Sequence, residues 1–361
     1  MNKIVVFASV LLGVAGNLAA QDKPTNPLTI GGYAEVYYLH DFNNPLNNSR
    51  PGFVYSHNRN NEVSVNLAFI KAAYGTEKVR ANFALAAGSY MNANYAAEPG
   101  VLKNIYEANA GLKLSKHHNM WVEVGIFSSH LGFESAVGKD NWTLTRSLFA
   151  DNSPYYETGA KISYTSRSGR WFISGLLLNG WQRIQRVEGN TTPAFGHQIV
   201  YRPSDKLTLN SSSFVGSDKA DSVRQMRYFH NLYAIYQISS KFGITAGFDM
   251  GMEQEEKASD NYNVWYTPIV LVKYVPTDRI SLTARGEYYR DEHAVLISAG
   301  DTASGFDTVG YSLNADYTIL DNVVWRMEFR NLQAKEATFV DRLGNLQTSS
   351  PTIATAIAVS F

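Results

Sequence analysis

The sequence predicts an all-β fold: a closed antiparallel transmembrane β-barrel of about 16 strands, with short periplasmic turns and long extracellular loops. Three observations predict it. The last ten residues alternate, with Ile353, Ile357, Val359 and Phe361 on one face and small or polar residues on the other. Similar alternating segments of roughly ten to fourteen residues, the length that crosses a membrane at a tilt, recur along the chain. The connections between them are short and long in turn.

The candidate strands follow from the period of two in side-chain character. They are residues 28–42, 62–74, 78–88, 105–115, 119–128, 155–166, 170–181, 193–202, 206–216, 225–238, 242–253, 261–275, 279–291, 306–319, 322–335 and 350–361. Pro268 lies inside one of these segments and lacks a ladder donor, so we expect a bulge or a strand end there.

The connections support the same barrel. The short ones are polar turn sequences such as Gly75-Thr76-Glu77-Lys78 and Arg202-Pro203-Ser204-Asp205-Lys206. The long ones span about 43–61, 89–104, 129–154, 182–192, 217–224, 254–260, 292–305 and 336–349. An even number of strands places both termini of the chain on the short-turn side.

The alternation also predicts which face of each strand is charged. In 322–335 the residues Trp325, Met327 and Phe329 oppose Arg326 and Arg330. A charge facing lipid near the midplane costs ~2–4 kcal/mol, so the charged face must line a water-filled lumen. The predicted lining includes Glu35, Arg80, Glu107, Lys113, Glu123, Glu157, Lys161, Arg285, Glu287, Arg326 and Arg330.

The N-terminus predicts export. Lys3 precedes an apolar run from Ile4 to Gly16, and small residues end it before Gln21. This pattern is typical of a secretory signal peptide, here residues 1–20, with residues 21–361 as one barrel domain. The apolar run is short for a helix that spans a bilayer.

Composition excludes several classes. The chain has 32 basic and 32 acidic residues, which gives no case for nucleic-acid binding. It has no cysteine, which excludes a lipoprotein anchor, disulfides and thiolate metal sites. Aromatic residues make up 13% of the chain, led by 22 Tyr, as girdles at two membrane interfaces require.

No pattern of catalytic residues is visible. None of the eight histidines lies in a recognisable Ser/His motif, and no glycine-rich phosphate loop or HExxH motif occurs. His117-His118 is read as a solvated turn rather than a metal site. We therefore expect no enzyme, no cofactor and no metal.

The loop 129–154 is the longest connection and has no strand pattern, which is typical of a functional or mobile segment. If it folds inward, Glu134, Lys139, Asp140 and Arg146 would narrow the pore opposite the charged wall. The alternative is an ordinary outward loop.

The sequence resembles the OmpL-like outer-membrane porins, the beta-barrel porin-2 family. The resemblance begins at residues 30–38 and 42–45 and continues through Asn66-Leu67-Ala68 and Glu107-Ala108. It is strongest in Gly125-Ile126-Phe127, Leu131-Gly132-Phe133-Glu134, Thr145-Arg146-Ser147 and 154–159, although Thr145 replaces the usual serine. It implies a non-enzymatic channel in the outer membrane of a Gram-negative bacterium. It also implies that Phe361 belongs to a signal read by the barrel-assembly machinery.

Together these observations predict a porin, a passive diffusion channel for small hydrophilic solutes and ions. The near-zero net charge and mixed lining predict weak ion selectivity. The expected partners are outer-membrane lipids, the assembly machinery and the solutes, with a homotrimer left open. Two alternatives also stay open: a barrel that acts as a surface adhesin or structural protein, and a barrel enzyme.

Overall fold

The computed structural model describes residues 27–298 and 305–361, and the predicted signal peptide lies outside these residues. Within them, 16 strands form one closed antiparallel barrel. The barrel strands are β1 Leu28–Asp41, β2 Val63–Gly75, β3 Val79–Ala87, β4 Ile105–Lys113, β5 Asn119–Ser128, β6 Tyr156–Thr165, β7 Trp171–Leu178, β8 Ala194–Ser204, β9 Leu207–Gly216, β10 Arg227–Gln237, β11 Phe242–Gln254, β12 Tyr262–Thr277, β13 Ile280–Asp291, β14 Phe306–Leu320, β15 Val323–Ala334 and β18 Ser349–Ser360. Between β15 and β18, β16 Phe339–Val340 and β17 Leu346–Gln347 form a short separate hairpin.

The barrel closes between its first and last strands. Tyr33 of β1 pairs with Ser360 of β18, and the ladder continues to Asp41 and Thr352. The backbone groups of Gly32 and Phe361 exchange hydrogen bonds of 2.8 and 3.0 Å beyond the last residue of β18. Closure leaves no strand edge in lipid, where unpaired backbone groups cost several kcal/mol each.

The predicted barrel of about 16 strands is confirmed, because each predicted segment overlaps one barrel strand. The expectation for Pro268 is wrong. Pro268 pairs in register with Phe248 inside an uninterrupted β12, and the register towards β13 is the same on both sides of it. Pro268 thus removes one ladder donor without shifting the register of β12.

The connections carry the remaining elements. Short helices are α1 Ser89–Asn94 and α2 Leu148–Asp151, and 3₁₀ turns are Gly100–Asn104, Gly138–Asp140 and Asp221–Val223. Among the described residues, none of these helices has the length and apolar character to cross a membrane. We call the two ends of the barrel the long-loop end and the short-turn end, after the connections found there.

The two faces of the wall differ as the alternation predicts. Large apolar side chains point outward and are exposed, such as Ile70 at 63% and Leu313 at 66%. Charged and polar side chains point into the lumen, where Glu35, Arg285 and Arg326 are buried. The outer face thus suits lipid and the inner face suits water or a polar filling.

Candidate permeation site

The connection between β5 and β6, residues 129–155, folds into the lumen, and we call it the inward loop. The backbone N–H of Lys139 donates to the Tyr33 hydroxyl at 3.3 Å, and the Lys139 ammonium donates to the Ser360 hydroxyl at 2.7 Å. Tyr33 and Ser360 lie near the short-turn end, whereas the loop starts and ends at the long-loop end. The loop therefore spans much of the depth of the barrel.

The tip of the inward loop needs a glycine. The Glu35 carboxylate accepts hydrogen bonds from Tyr33 and Asn66 and contacts the His57 ring, each at 2.9 Å. A Cβ atom at Gly138 would lie 1.8 Å from a carboxylate oxygen of Glu35. Because Glu35 is fixed by three partners, only a residue without a side chain allows the loop to pass this close.

Three wall arginines hold the inward loop. Arg285, Arg326 and Arg330 donate to backbone carbonyl oxygens of the loop at 2.8, 2.9 and 2.7 Å. Their side chains are 0, 1 and 1% exposed. The planar guanidinium can donate several hydrogen bonds at once, which suits it to join a strand to a folded loop.

Two glutamates complete this network. Glu287 accepts from the Leu148 backbone N–H at 2.6 Å, and Glu328 accepts from the Thr145 backbone N–H at 2.5 Å. Glu287 also pairs with Arg330, and Glu328 pairs with Arg285. These buried charges are compensated by partners, so removal of one partner is expected to cost about 3–5 kcal/mol.

Side chains of the inward loop also form hydrogen bonds with other groups of the same loop. The Arg146 guanidinium donates to the carbonyl oxygens of Ser135, Ala136 and Leu144 at 2.8, 3.1 and 2.8 Å. Glu134 accepts from the backbone N–H and the hydroxyl of Ser147, whose side chain also caps α2. Burial raises the pKa of Glu134, although Arg285 opposes that shift. Glu134, Arg146 and Ser147 therefore give the loop a fixed shape.

We call the inner wall of β9–β15, β18 and β1 the covered side, because the inward loop packs against it. The opposite wall, the inward-facing residues in the short-turn half of β2–β8, is the open side. Lys71 pairs with Glu107 at 2.5 Å, and both Arg80 and Lys161 pair with Glu123, at 2.7 and 3.2 Å. The three cationic side chains are 29, 22 and 20% exposed, so this side reaches water.

A glycine in β4 allows the Arg80–Glu123 pair. Arg80 of β3 and Glu123 of β5 lie on either side of Gly111. A Cβ atom at Gly111 would lie 2.8 Å from Cγ of Glu123 and 3.2 Å from Cγ of Arg80. The Arg80 guanidinium also lies over the Trp121 ring, 4.3 Å from its centroid. Its charge is therefore held in one place on the wall.

The residues predicted to line the pore fall into three groups. The first group lies on the open side: Arg80, Glu107, Lys113, Glu123 and Lys161. Lys139 and Asp140 lie at the tip of the inward loop, where both retain some exposure. The others are buried between loop and wall: Glu35, Glu134, Arg146, Glu157, Arg285, Glu287, Arg326 and Arg330. Their role in permeation stays a prediction.

The predicted site residues left out Lys71 and Arg202, which both face the lumen and are partly exposed. Lys71 shares its face of β2 with Leu67 and Phe69, so the alternation there did not look charged. Arg202 stands beside Pro203 at the end of β8 and resembled a turn residue. Every second residue counted from Leu67 lies on the same face, and this count reaches Lys71. That was the signal available in the sequence.

A closed barrel of 16 strands with an inward loop and a charged lumen defines an outer-membrane porin. The sequence profile of the family described as "Putative beta-barrel porin-2, OmpL-like" matches residues 27–361. The chain belongs to this family. No curated protein matches the sequence significantly.

Solved structures of porins are similar in fold. An anion-selective porin from Comamonas acidovorans has a TM-score of 0.61 and 10% identity, covering 92% of this chain and 99% of that chain. The trimer form of OmpT of Vibrio cholerae has a TM-score of 0.59 and 10% identity, covering 93 and 100%. The outer membrane channel DcaP of Acinetobacter baumannii has a TM-score of 0.57 and 11% identity, covering 92 and 97%. At these identities the likeness concerns the fold alone.

Proposed function

We propose that this porin is a passive, non-enzymatic channel for small hydrophilic solutes and ions, and that the inward loop sets its size limit. One observation carries the proposal: the lumen has a side that reaches water. Arg80 and Lys161 of the open side are 22 and 20% exposed, whereas Arg326 and Arg330 of the covered side are 1% exposed. A solute would pass between the inward loop and the open side.

The mechanism needs no chemical step. A polar wall replaces part of the hydration of a solute, and the remaining width excludes larger molecules. The network of Arg285, Glu287 and Glu328 holds the loop against the covered side, so the width is fixed by hydrogen bonds rather than by loop mobility. A narrow, constant channel is the expected result.

Single-channel recording tests this function. Purified, folded protein in a planar lipid bilayer should give discrete conductance steps that are small for a barrel of 16 strands. Large sugars should not enter reconstituted vesicles, whereas small ions should. Folded protein that inserts but gives no steps would overturn the proposal and favour the adhesin or structural alternative. Hydrolysis of a lipid or peptide substrate by the folded protein would instead favour a barrel enzyme.

The route to the membrane is part of the proposal. Residues 1–20 would direct export in a Gram-negative cell and be removed, and Edman sequencing of the membrane-inserted protein should then begin near Gln21. A first residue at Met1 would contradict this.

Phe361 is proposed as part of the signal for barrel assembly. Its ring lies over Gly32, where a Cβ atom would approach within 2.3 Å of it. Gly32→Leu should therefore lower the amount of folded barrel in the membrane without changing the conductance of each channel. Normal assembly of this variant and of Phe361→Ala would contradict the role of this contact.

We also propose a homotrimer that uses the outer face of β8–β10. His197 pairs with Ser213 at 2.5 Å and His230 with Ser211 at 3.1 Å on this lipid-side surface. Polar groups are costly towards lipid, and a contact with a second copy of the chain would shield them. Light scattering in detergent should give the mass of three chains, and His197→Leu with His230→Leu should favour the monomer. A monomeric parent protein would contradict the proposal.

A further inference from the structure

We propose that the lumen prefers anions and that Arg80 and Lys161 are the residues that select them. The inference rests on the proposed function, because it names the solute class of the same lumen. The solutes that it favours are small and carry net negative charge, such as chloride and small carboxylates.

The charge of the whole chain differs from the charge that a passing ion can reach in the lumen. The whole sequence is balanced, with 32 basic and 32 acidic residues. A buried ion pair is compensated and contributes little field to the lumen. Glu287, Glu328 and Glu157 are at most 4% exposed, so much of the acidic charge of the wall lies out of reach of a passing ion.

On the open side, positive charge remains in excess. Five cationic side chains face the lumen there, against two carboxylates; they are Lys71, Arg80, Lys113, Lys161 and Arg202, opposed by Glu107 and Glu123. Glu107 forms a salt bridge with Lys71, and a single carboxylate oxygen of Glu123 forms salt bridges with both Arg80 and Lys161. The Arg80–Glu123–Lys161 group therefore keeps one uncompensated positive charge.

Two further cations add to this excess. Lys113 lies opposite Trp121 at the end of β4, and Arg202 lies two residues before the end of β8. Across residues 27–298 and 305–361, neither side chain forms a salt bridge. The excess thus extends from β3 to β8 around the short-turn end of the open side.

The charged groups of Arg80 and Lys161 are held in fixed positions on the wall. Arg80 lies 4.3 Å from the centroid of Trp121, and Lys161 lies 4.7 Å from the centroid of Phe127. Aromatic faces and a shared carboxylate restrain both side chains while leaving a fifth of each exposed. Fixed charge in a narrow, low-dielectric wall concentrates counter-ions, and salt screens it over about 10 Å at 0.1 M.

The test is the reversal potential of the parent protein in a planar bilayer under a roughly tenfold KCl gradient. We expect chloride to permeate roughly threefold better than potassium at low salt, and the preference to shrink as both solutions are made more concentrated. Arg80→Gln combined with Lys161→Gln should remove at least half of it. Arg290→Gln is the matched control, because Arg290 lies on the outer face and pairs with Glu292. The double variant Arg80→Lys with Lys161→Arg should keep the parent value.

The outcomes separate the two proposals. Folded parent protein without conductance steps contradicts the proposed function. Steps with no ion preference, or with a preference for potassium, leave the porin in place and overturn the anion inference. Chloride preference that survives the double Gln variant overturns the assignment to Arg80 and Lys161. Only conducting channels are counted, so a variant that folds poorly does not distort the ratio.

Discussion

The covered side and the open side of the lumen carry the same kinds of charged residue and use them differently. On the covered side, the side chains of Arg285, Arg326 and Arg330 are at most 1% exposed and donate to the inward loop. On the open side, Arg80 and Lys161 share one carboxylate and remain partly in water. Charge therefore holds a loop on one side of the lumen and meets the solute on the other.

This difference has an energetic consequence. A buried pair that loses one partner leaves an uncompensated charge, at about 3–5 kcal/mol, whereas exposed pairs contribute about 0–1 kcal/mol. Substitutions on the covered side should therefore act through stability and loop position. Substitutions on the open side should act through permeation at nearly constant stability.

The largest expected effect comes from removal of the loop core. Replacement of residues 134–147 by a short Gly-Ser linker should raise single-channel conductance roughly threefold or more, because the lumen of a barrel of 16 strands is otherwise wide. Shortening the hairpin of β16 and β17 is the control and should leave conductance unchanged. Equal conductance in parent and loop-deleted protein would show that the inward loop does not limit the path.

The next effect compares one arginine from each side. Arg285→Ala leaves Glu328 buried without its partner and should lower unfolding free energy by about 3–5 kcal/mol. Arg80→Ala should lower it by less than about 1 kcal/mol, because that pair is partly exposed. Denaturant unfolding in detergent, followed by tryptophan fluorescence, measures both. Similar losses at the two positions would remove the distinction between the sides.

A smaller effect is expected at the loop tip. Gly138→Ala would place a methyl group against the fixed carboxylate of Glu35 and should displace the tip. The expected result is a roughly twofold rise in current fluctuations with nearly normal assembly. Gly52→Ala is the control, since nothing lies within 4 Å of a Cβ atom there. Current fluctuations of the parent size in Gly138→Ala would contradict this, because Glu35 would then move aside without displacing the tip.

A further expected effect is a pH dependence within the inward loop. Burial raises the pKa of Asp151 to about 7, although Arg330 and Arg146 oppose the shift. The native state thus keeps this proton while the unfolded state loses it near the ordinary value of 3.8, so its contribution to stability falls as pH rises between these values. The melting temperature of Asp151→Asn should therefore exceed that of the parent by an amount that grows up to about pH 7 and then levels. A constant difference would contradict the raised pKa.

Much of the barrel could be predicted from the sequence because membrane strands obey a simple rule. Lipid outside and a polar lumen inside force alternation, so Trp325, Met327 and Phe329 alone assign the charged face of β15. Each turn then joins two consecutive strands as antiparallel neighbours, which fixes the strand order. Pro268 was misjudged because a proline is tolerated wherever one missing donor does not break the register.

The site could be predicted only in part. The sequence indicated that Glu134 and Arg146 could enter the lumen, and that Arg285 and Arg330 face it. It could not indicate on which side the loop packs, because that depends on contacts between residues more than 100 positions apart, such as Thr145 with Glu328. Exposure, and with it the excess of accessible positive charge, follows from that packing.

The most direct test of the two-sided lumen uses single cysteines, since the natural sequence has none. Asn82 faces the open side and keeps partial exposure, whereas Ser312 faces the covered side and is 2% exposed. A charged methanethiosulfonate reagent added to open channels should step down the conductance of Asn82→Cys and leave that of Ser312→Cys unchanged. Rapid block of Ser312→Cys, with Asn82→Cys unaffected, would place the path on the wrong side and contradict the account.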